Sequence, residues 1–125
     1  MQIEQVDFVS VPTRDYERAV AWYRDVLGLP VSEYSEGEVE APGLTLSFWN
    51  PTEQGEPFVP NENGIAMRVA DVEAAVEEAR TAGAEVMGIQ DSGVCHMGFV
   101  RDPDGNVLIL HRRYAERRRL SNANG

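Results

Sequence analysis

The strongest constraint on how this chain folds is that it repeats itself. The stretch Val6–Val31, VDFVSVPTRDYERAVAWYRDVLGLPV, has a counterpart at 63–86, NGIAMRVADVEAAVEEARTAGAEV. With Asp15 set on Asp71, an offset of 56 residues, Val9 meets Ile65, Val11 meets Met67, Glu17 meets Glu73, Ala19 meets Ala75, Val20 meets Val76 and Arg24 meets Arg80. Each copy reads as an apolar strand, an Asp, an amphipathic helix and a Gly. A repeat of this size implies two similar supersecondary units that bury their apolar faces together. Asp15 and Asp71 stand where an N-cap belongs, each with a carboxylate for the unpaired backbone N–H groups of the first helical turn. Tyr16, Ala19, Val20, Tyr23, Val26 and Leu27 fall on one helical face, and Val72, Ala75, Val76, Ala79 and Ala82 on another. Gly28 and Gly83 then stop the helices in a left-handed conformation.

Short strand-like runs follow each helix. They span 30–34, 38–41 and 44–50 in the first half, and 85–89, 94–101 and 106–112 in the second. Asp102-Pro103-Asp104-Gly105-Asn106 is a tight hairpin signal, because Pro presets φ and Gly supplies a positive φ. Residues 51–63 hold three Pro and one Gly and read as the linker between halves, with Phe58 as an anchor. The expected fold class is α+β: two βαβββ modules, about 3–50 and 64–112, form a curved mixed sheet around a cup-shaped cavity, with helices outside. A basic C-terminal tail covers 113–125, and the whole forms one domain over 1–125.

Composition narrows the partners. The formal net charge is −10, and the sequence pI is about 4.5. An acidic body repels nucleic acid and anionic lipid, so neither is expected as a partner. The charge is uneven, since residues 112–125 carry five Arg against one Glu. That stretch reads as a solvated or self-docking tail, with anion binding as the alternative. No apolar run is long enough to cross a bilayer. The first residues lack a basic segment followed by an apolar one, so no signal peptide is expected and the location is cytoplasmic by default. The single cysteine, Cys95, excludes an intrachain disulfide and a multi-Cys metal site. No Walker-type loop, GxGxxG, GxSxG or HExxH occurs, so phosphoryl transfer, dinucleotide binding and serine hydrolysis lack support.

The order of elements, together with Asp15, Trp22-Tyr23, Leu27-Gly28, Asp71, Ala82-Gly83 and the Asp102–Asn106 turn, resembles the vicinal oxygen chelate superfamily. That superfamily includes glyoxalase I, extradiol dioxygenases, fosfomycin-resistance enzymes and bleomycin-resistance proteins. The resemblance covers roughly residues 3–112. It implies a cup built by the two halves or by two subunits, and a homodimer. None of these motifs specifies a reaction.

The resemblance also implies a divalent metal held by His, Glu or Gln on inward strand positions. Two lie seven residues before each capping Asp, at Phe8 and Gly64, and two on the last strand of each half, at Thr45 and Ile109. Phe, Gly, Thr and Ile offer no imidazole, thiolate or carboxylate. No metal and no cofactor is therefore expected. Strand alternation extends the same face to Ser10, Ser47, Trp49, Ala66, Arg68, Val107 and His111. The family pattern adds Cys95, Met97 and Phe99. The opposite face, Val9, Val11, Leu44, Leu46, Phe48, Ile65, Met67, Val69, Leu108 and Leu110, is uniformly apolar and suits the side under the helices.

Each candidate has a structural alternative. His111 reads as a rim imidazole or a general base, and Trp49 as an aromatic plug or a stacking platform. Arg68 can pair with one of the many Glu or with a ligand carboxylate or phosphate. Cys95 reads as a small buried hydrophobe or a nucleophile, and its neighbour His96 points to the other face. The residues expected to line the ligand site are Phe8, Ser10, Thr45, Ser47, Trp49, Arg68, Cys95, Met97, Phe99, Ile109 and His111. The expected function is metal-free binding of a small organic molecule, such as an antibiotic or secondary metabolite, for sequestration or transport. The alternative is an enzyme (a lyase, isomerase, cyclase or dioxygenase-like catalyst), either metal-free or with relocated ligands.

Overall fold

A computed structural model describes residues 1–116. Seven strands and two α-helices follow one another as β1 (Phe8–Pro12), α1 (Tyr16–Asp25), β2 (Glu38–Ala41), β3 (Leu44–Trp49), β4 (Ile65–Arg68), α2 (Val72–Thr81), β5 (Glu85–Asp91), β6 (Cys95–Arg101) and β7 (Val107–Arg113). The class is α+β. One sheet has the order β1-β3-β2 and the other β4-β7-β6-β5. In each sheet the strand before the helix pairs in parallel with the last strand of its half, β1 with β3 and β4 with β7. The remaining pairs are antiparallel.

Local signals explain the helix ends. The Asp15 carboxylate accepts from the Arg18 backbone N–H at 3.1 Å, and Asp71 does the same for Ala74 at 3.0 Å. Gly28 (φ 70°) and Gly83 (φ 92°) reverse the chain after each helix. The faces predicted to be apolar are the buried ones. Val11, Ala19, Val20, Tyr23, Leu46, Phe48, Val72, Val76, Ala79, Val100, Leu108 and Leu110 belong to one hydrophobic core that draws on both helices and both sheets. Each fully buried aliphatic or aromatic side chain of this kind contributes about 1.5–3 kcal/mol. Tyr23 is fully buried and meets Trp22 and Phe48 edge to face, with ring centroids 5.1 and 4.9 Å away. On β6, Gly98 lies directly under the Val76 and Val72 side chains, so α2 sits closer to its sheet than any larger residue would permit.

Three details differ from the sequence expectation. The run 30–34 forms only one bridge, Val31 with Val39. Pro30 has no N–H to donate, and the chain bends away after Ser32 donates to the Glu38 carbonyl. The linker contains a 3-10 turn, Pro51–Gln54, capped by the Asn50 side chain. Strand β7 runs through Arg113, and the Tyr114 and Ala115 N–H groups donate to the Val94 carbonyl. The basic tail expected over 113–125 thus begins inside a strand, and most of it lies outside the described residues. Phe58 does anchor the linker: the Arg14 guanidinium lies 3.8 Å above its ring centroid.

Candidate functional site

Residues paired across neighbouring strands share a sheet face, so the register places the candidates directly. In the first sheet Phe8, Thr45 and Glu40 form one row, and Ser10, Ser47 and Glu38 form the next. Trp49 pairs with Pro12 at the end of β1. In the second sheet Ala66, Ile109, Phe99 and Gly88 form a row, Arg68, His111, Met97 and Gln90 another, and Cys95 pairs with Arg113. The alternate residues pack toward the helices. By register all eleven candidates fall on the sheet faces turned away from the helices, although Arg68, on edge strand β4, also borders the space between the halves. The structure gathers them as two groups, one on each sheet: Phe8, Ser10, Thr45, Ser47 and Trp49, then Arg68, Cys95, Met97, Phe99, Ile109 and His111.

The two groups differ chemically. Phe8 is 59% exposed and Trp49 36%, which is a large apolar area to leave facing water. The acidic side chains of that face are Glu38 and Glu40, and the Thr45 hydroxyl donates to Glu40 Oε2 at 2.7 Å. Thr45 is thus committed as a donor and has only lone pairs left to offer. The face on the second sheet is cationic at its edge and end, through Arg68 and Arg113. The Arg113 Nε is buried and has no hydrogen-bond partner among the described residues. Cys95 is buried at 9% exposure, with His111 its diagonal neighbour on the same face of β7. His96, on the opposite face, lies 3.3 Å from Asp91 and stacks against Tyr114, with ring centroids 5.1 Å apart. The Tyr114 hydroxyl donates to Asp91 at 2.7 Å. That bond and the Gly93 N–H hold the Asp91 carboxyl below its ordinary range, and the same Asp91 bond pushes the Tyr114 phenol up.

The four positions that carry metal donors in the superfamily do not fit a metal here. Gly64 has φ 81°, a conformation that L side chains adopt poorly, and a Cβ built on it would stand 2.8 Å from Ile109 Cδ1. The Ile109 side chain fills the space into which a ligand from position 64 would project. Across the other sheet Phe8 presents a ring, and the Thr45 hydroxyl is taken by Glu40. Among the described residues no three His, Cys, Asp or Glu side chains converge.

Reading the Asp102–Asn106 turn only as a hairpin missed its larger part. Asp102, Asp104 and Asn106 are buried, and they fasten the two halves together. The Tyr23 hydroxyl donates to Asp102 Oδ2 at 2.7 Å, the Asn106 amide donates to the Pro12 carbonyl at 2.8 Å, and the Thr13 hydroxyl donates to Asp104 Oδ2 at 2.6 Å. Arg18 adds an ion pair to Asp104 at 2.8 Å. Burial, followed by the Asp102 charge and hydrogen bond, raises the Tyr23 phenol well above its usual value. The sequence did carry one clue, since a turn with three amide or carboxylate side chains holds more acceptors than a hairpin needs.

Against known proteins, the profile of the Glyoxalase/Bleomycin resistance protein/Dioxygenase superfamily matches residues 5–110. The chain belongs to that superfamily. Among solved structures it is similar to TnmS3, an antibiotic binding protein from Streptomyces sp. CB03234. Identity is 26%, the match covers 90% of this chain and 98% of that one, and the TM-score is 0.75. It is also similar in fold to a lactoylglutathione lyase from Agrobacterium tumefaciens, at 18% identity over 88% of this chain and 94% of that one, with TM-score 0.72. A glyoxalase/bleomycin resistance protein/dioxygenase from Nocardioides has 19% identity, coverage of 97% and 92%, and TM-score 0.73. No curated protein sequence matches significantly. Among the described residues, no helix is long and apolar enough to cross a membrane.

Proposed function

We propose that this protein binds a small organic molecule without a metal and sequesters or carries it, in the manner of the bleomycin-resistance type. The observation that carries the reading is the filling of the superfamily's metal positions: Ile109 packs over Gly64, and Phe8 and Thr45 occupy the other sheet. The faces around those positions keep aromatic, hydroxyl and thioether groups, a mixture suited to an organic ligand. Phe8 and Trp49 supply stacking area, Ser10 and Ser47 orient polar groups, and Met97, Phe99 and Ile109 supply apolar contact. The similarity to an antibiotic binding protein favours an antibiotic or secondary metabolite as the ligand.

The reading includes a homodimer acting in the cytoplasm. The sheet faces of the two halves are oppositely charged, Glu38 and Glu40 on one, Arg113 at the end of the other. A first-half face of one copy laid against the second-half face of another would pair those charges and cover Phe8 and Trp49, closing the cup. The lone Cys95, held as a buried thiol, is compatible with a reducing compartment.

Native mass spectrometry and thermal shift against a panel of antibiotics and metabolites test the proposal. A retained ligand whose binding is lost in Phe8→Ala and Trp49→Ala supports it. Absence of any ligand, or stoichiometric zinc, nickel, iron or manganese in the purified protein, overturns it. Turnover of a bound ligand that disappears in His111→Ala would replace it with the enzymatic alternative.

A further inference from the structure

A half-enclosed space lies on the other side of the sheets from Phe8 and His111. A cavity of about 420 Å³ opens between the two halves on the helix side. Its walls come from the segment after α1 (Leu27, Leu29), from the β2–β3 hairpin (Leu44) and from β4 and α2 (Ile65, Met67, Ala79). Leu46, Met67 and Leu110 also line it, and these alternate with the outward-facing candidates on their strands. The cavity thus lies on the opposite side of both sheets from Phe8, Trp49, Met97 and His111. It exists because small residues stand where the halves approach. Ala41, Ala66, Ala75 and Ala79 all border it, and none is long enough to bridge the gap.

Two charged side chains border this space, Arg68 on the outer edge of β4 and Glu78 on α2. Arg68 makes no hydrogen bond or ion pair among the described residues, despite the acidity of the chain. Glu78 does not approach it within ion-pair distance, and it also borders the shallow acidic cleft between α1 and α2, with Asp25 and Glu77. The mouth is therefore divided into a cationic end on the β4 side and an acidic end on the α2 side. Volume and apolarity match an ordinary small-molecule pocket. A guanidinium without a partner at the rim of an apolar cavity is suited to a carboxylate, which it can hold through two parallel hydrogen bonds.

We infer that this cavity is a second ligand site, separate from the proposed cup, for an amphipathic carboxylate: a medium-length alkyl chain or compact ring system among Leu27, Leu29, Leu44 and Met67, with its carboxylate on Arg68. The carboxylate end faces away from Glu78, so one orientation is favoured. The site joins the two halves, and an occupant buries surface of both.

Isothermal titration calorimetry with sodium decanoate, below its micelle concentration, tests the inference. Decanoate binds once per chain. Decanol binds about ten- to a hundredfold more weakly, and decyltrimethylammonium does not compete. Arg68→Glu weakens decanoate by at least the same factor, and Ala75→Phe, which fills the space, abolishes it. Both variants are checked for a cooperative thermal transition, and Arg68→Glu, being exposed, keeps the result decisive if Ala75→Phe fails to fold. Phe8→Ala and Trp49→Ala leave decanoate binding intact, which separates this site from the cup. No binding to the unmodified protein overturns the inference, as does binding indifferent to Arg68. It is equally overturned if decanoate binding follows Phe8 and Trp49, or if a second copy fills the groove, seen as Ala75→Phe converting a dimer to monomer with no decanoate bound by either form.

Discussion

Replacing Asp102 by Ala tests whether the Asp102–Asn106 turn holds the halves together. Its Oδ1 accepts the backbone N–H groups of Asp104 and Asn106 at 2.8 and 2.9 Å, and its Oδ2 accepts the Tyr23 hydroxyl and the Asn106 amide at 2.7 Å each. In Asp102→Ala the Asn106 amide keeps one N–H on the Pro12 carbonyl, but four N–H or O–H groups lose their acceptor. A buried donor left unpaired costs about 1–3 kcal/mol. Releasing a buried carboxylate from its desolvation offsets part of that. The expected net loss is about 3–5 kcal/mol, against a total stability of about 5–15 kcal/mol for a chain of this size. The melting temperature should fall by about 10–20 °C. Urea unfolding followed by far-UV circular dichroism and by tryptophan fluorescence reads the loss. Trp22 and Trp49 report the first half, so non-coincident curves would show the halves separating. Asp102→Asn keeps the shape and one acceptor oxygen, and should cost about half as much. A loss under about 1 kcal/mol for Asp102→Ala, with both probes coincident, would mean that apolar packing alone sets the relation of the halves.

Other expectations follow from the same network and from two glycines. Tyr23→Phe removes one buried hydrogen bond and should cost about 1–3 kcal/mol at neutral pH. Because folding raises the Tyr23 pKa, its contribution is complete below the unfolded value near 10 and is lost as pH rises toward the folded value. Urea titrations between pH 8 and 11 should therefore show the gap between Tyr23→Phe and the unmodified protein narrowing; a constant gap refutes the assignment. Gly98→Ala puts a methyl into the Val76 side chain and should cost about 1–3 kcal/mol by thermal denaturation, all of it packing, since Gly98 does not have a positive φ. Gly64→His should bind no stoichiometric zinc by elemental analysis, even combined with Phe8→His, because Ile109 occupies the space the imidazole needs.

Much of the fold was legible because the forces that decide it are local. Asp15 and Asp71 cap helices three residues ahead, and period-two alternation sorts Val11 from Ser10 and Leu108 from Ile109 without knowledge of anything distant. Alternation also sorts Ser47 from Leu46, whereas Cys95, Met97 and Phe99 rested on the family pattern, because β6 is least regular. Alternation could not report what the face meets. Residues 30–34 failed as a full strand because pairing depends on Pro30 lacking a donor and on a partner strand that is itself short. The fastening turn was invisible as a fastener because its partners, Thr13 and Tyr23, lie 91 and 79 residues away. No local period records such distances.

The same limit explains the two cavities. The outward faces of Phe8 and His111 follow from sequence parity, but whether they enclose a ligand depends on how two sheets, or two copies, are set against each other. The helix-side cavity follows from four alanines whose proximity only the assembled core creates. Arg68 belongs to both descriptions, since β4 is an edge strand: its register sets it beside His111, while its side chain borders the space between the halves. A residue at a sheet edge escapes the two-face rule that classifies its neighbours. Edge positions are therefore where a reading by alternation is weakest, and where the ligand chemistry of this protein most needs the structure.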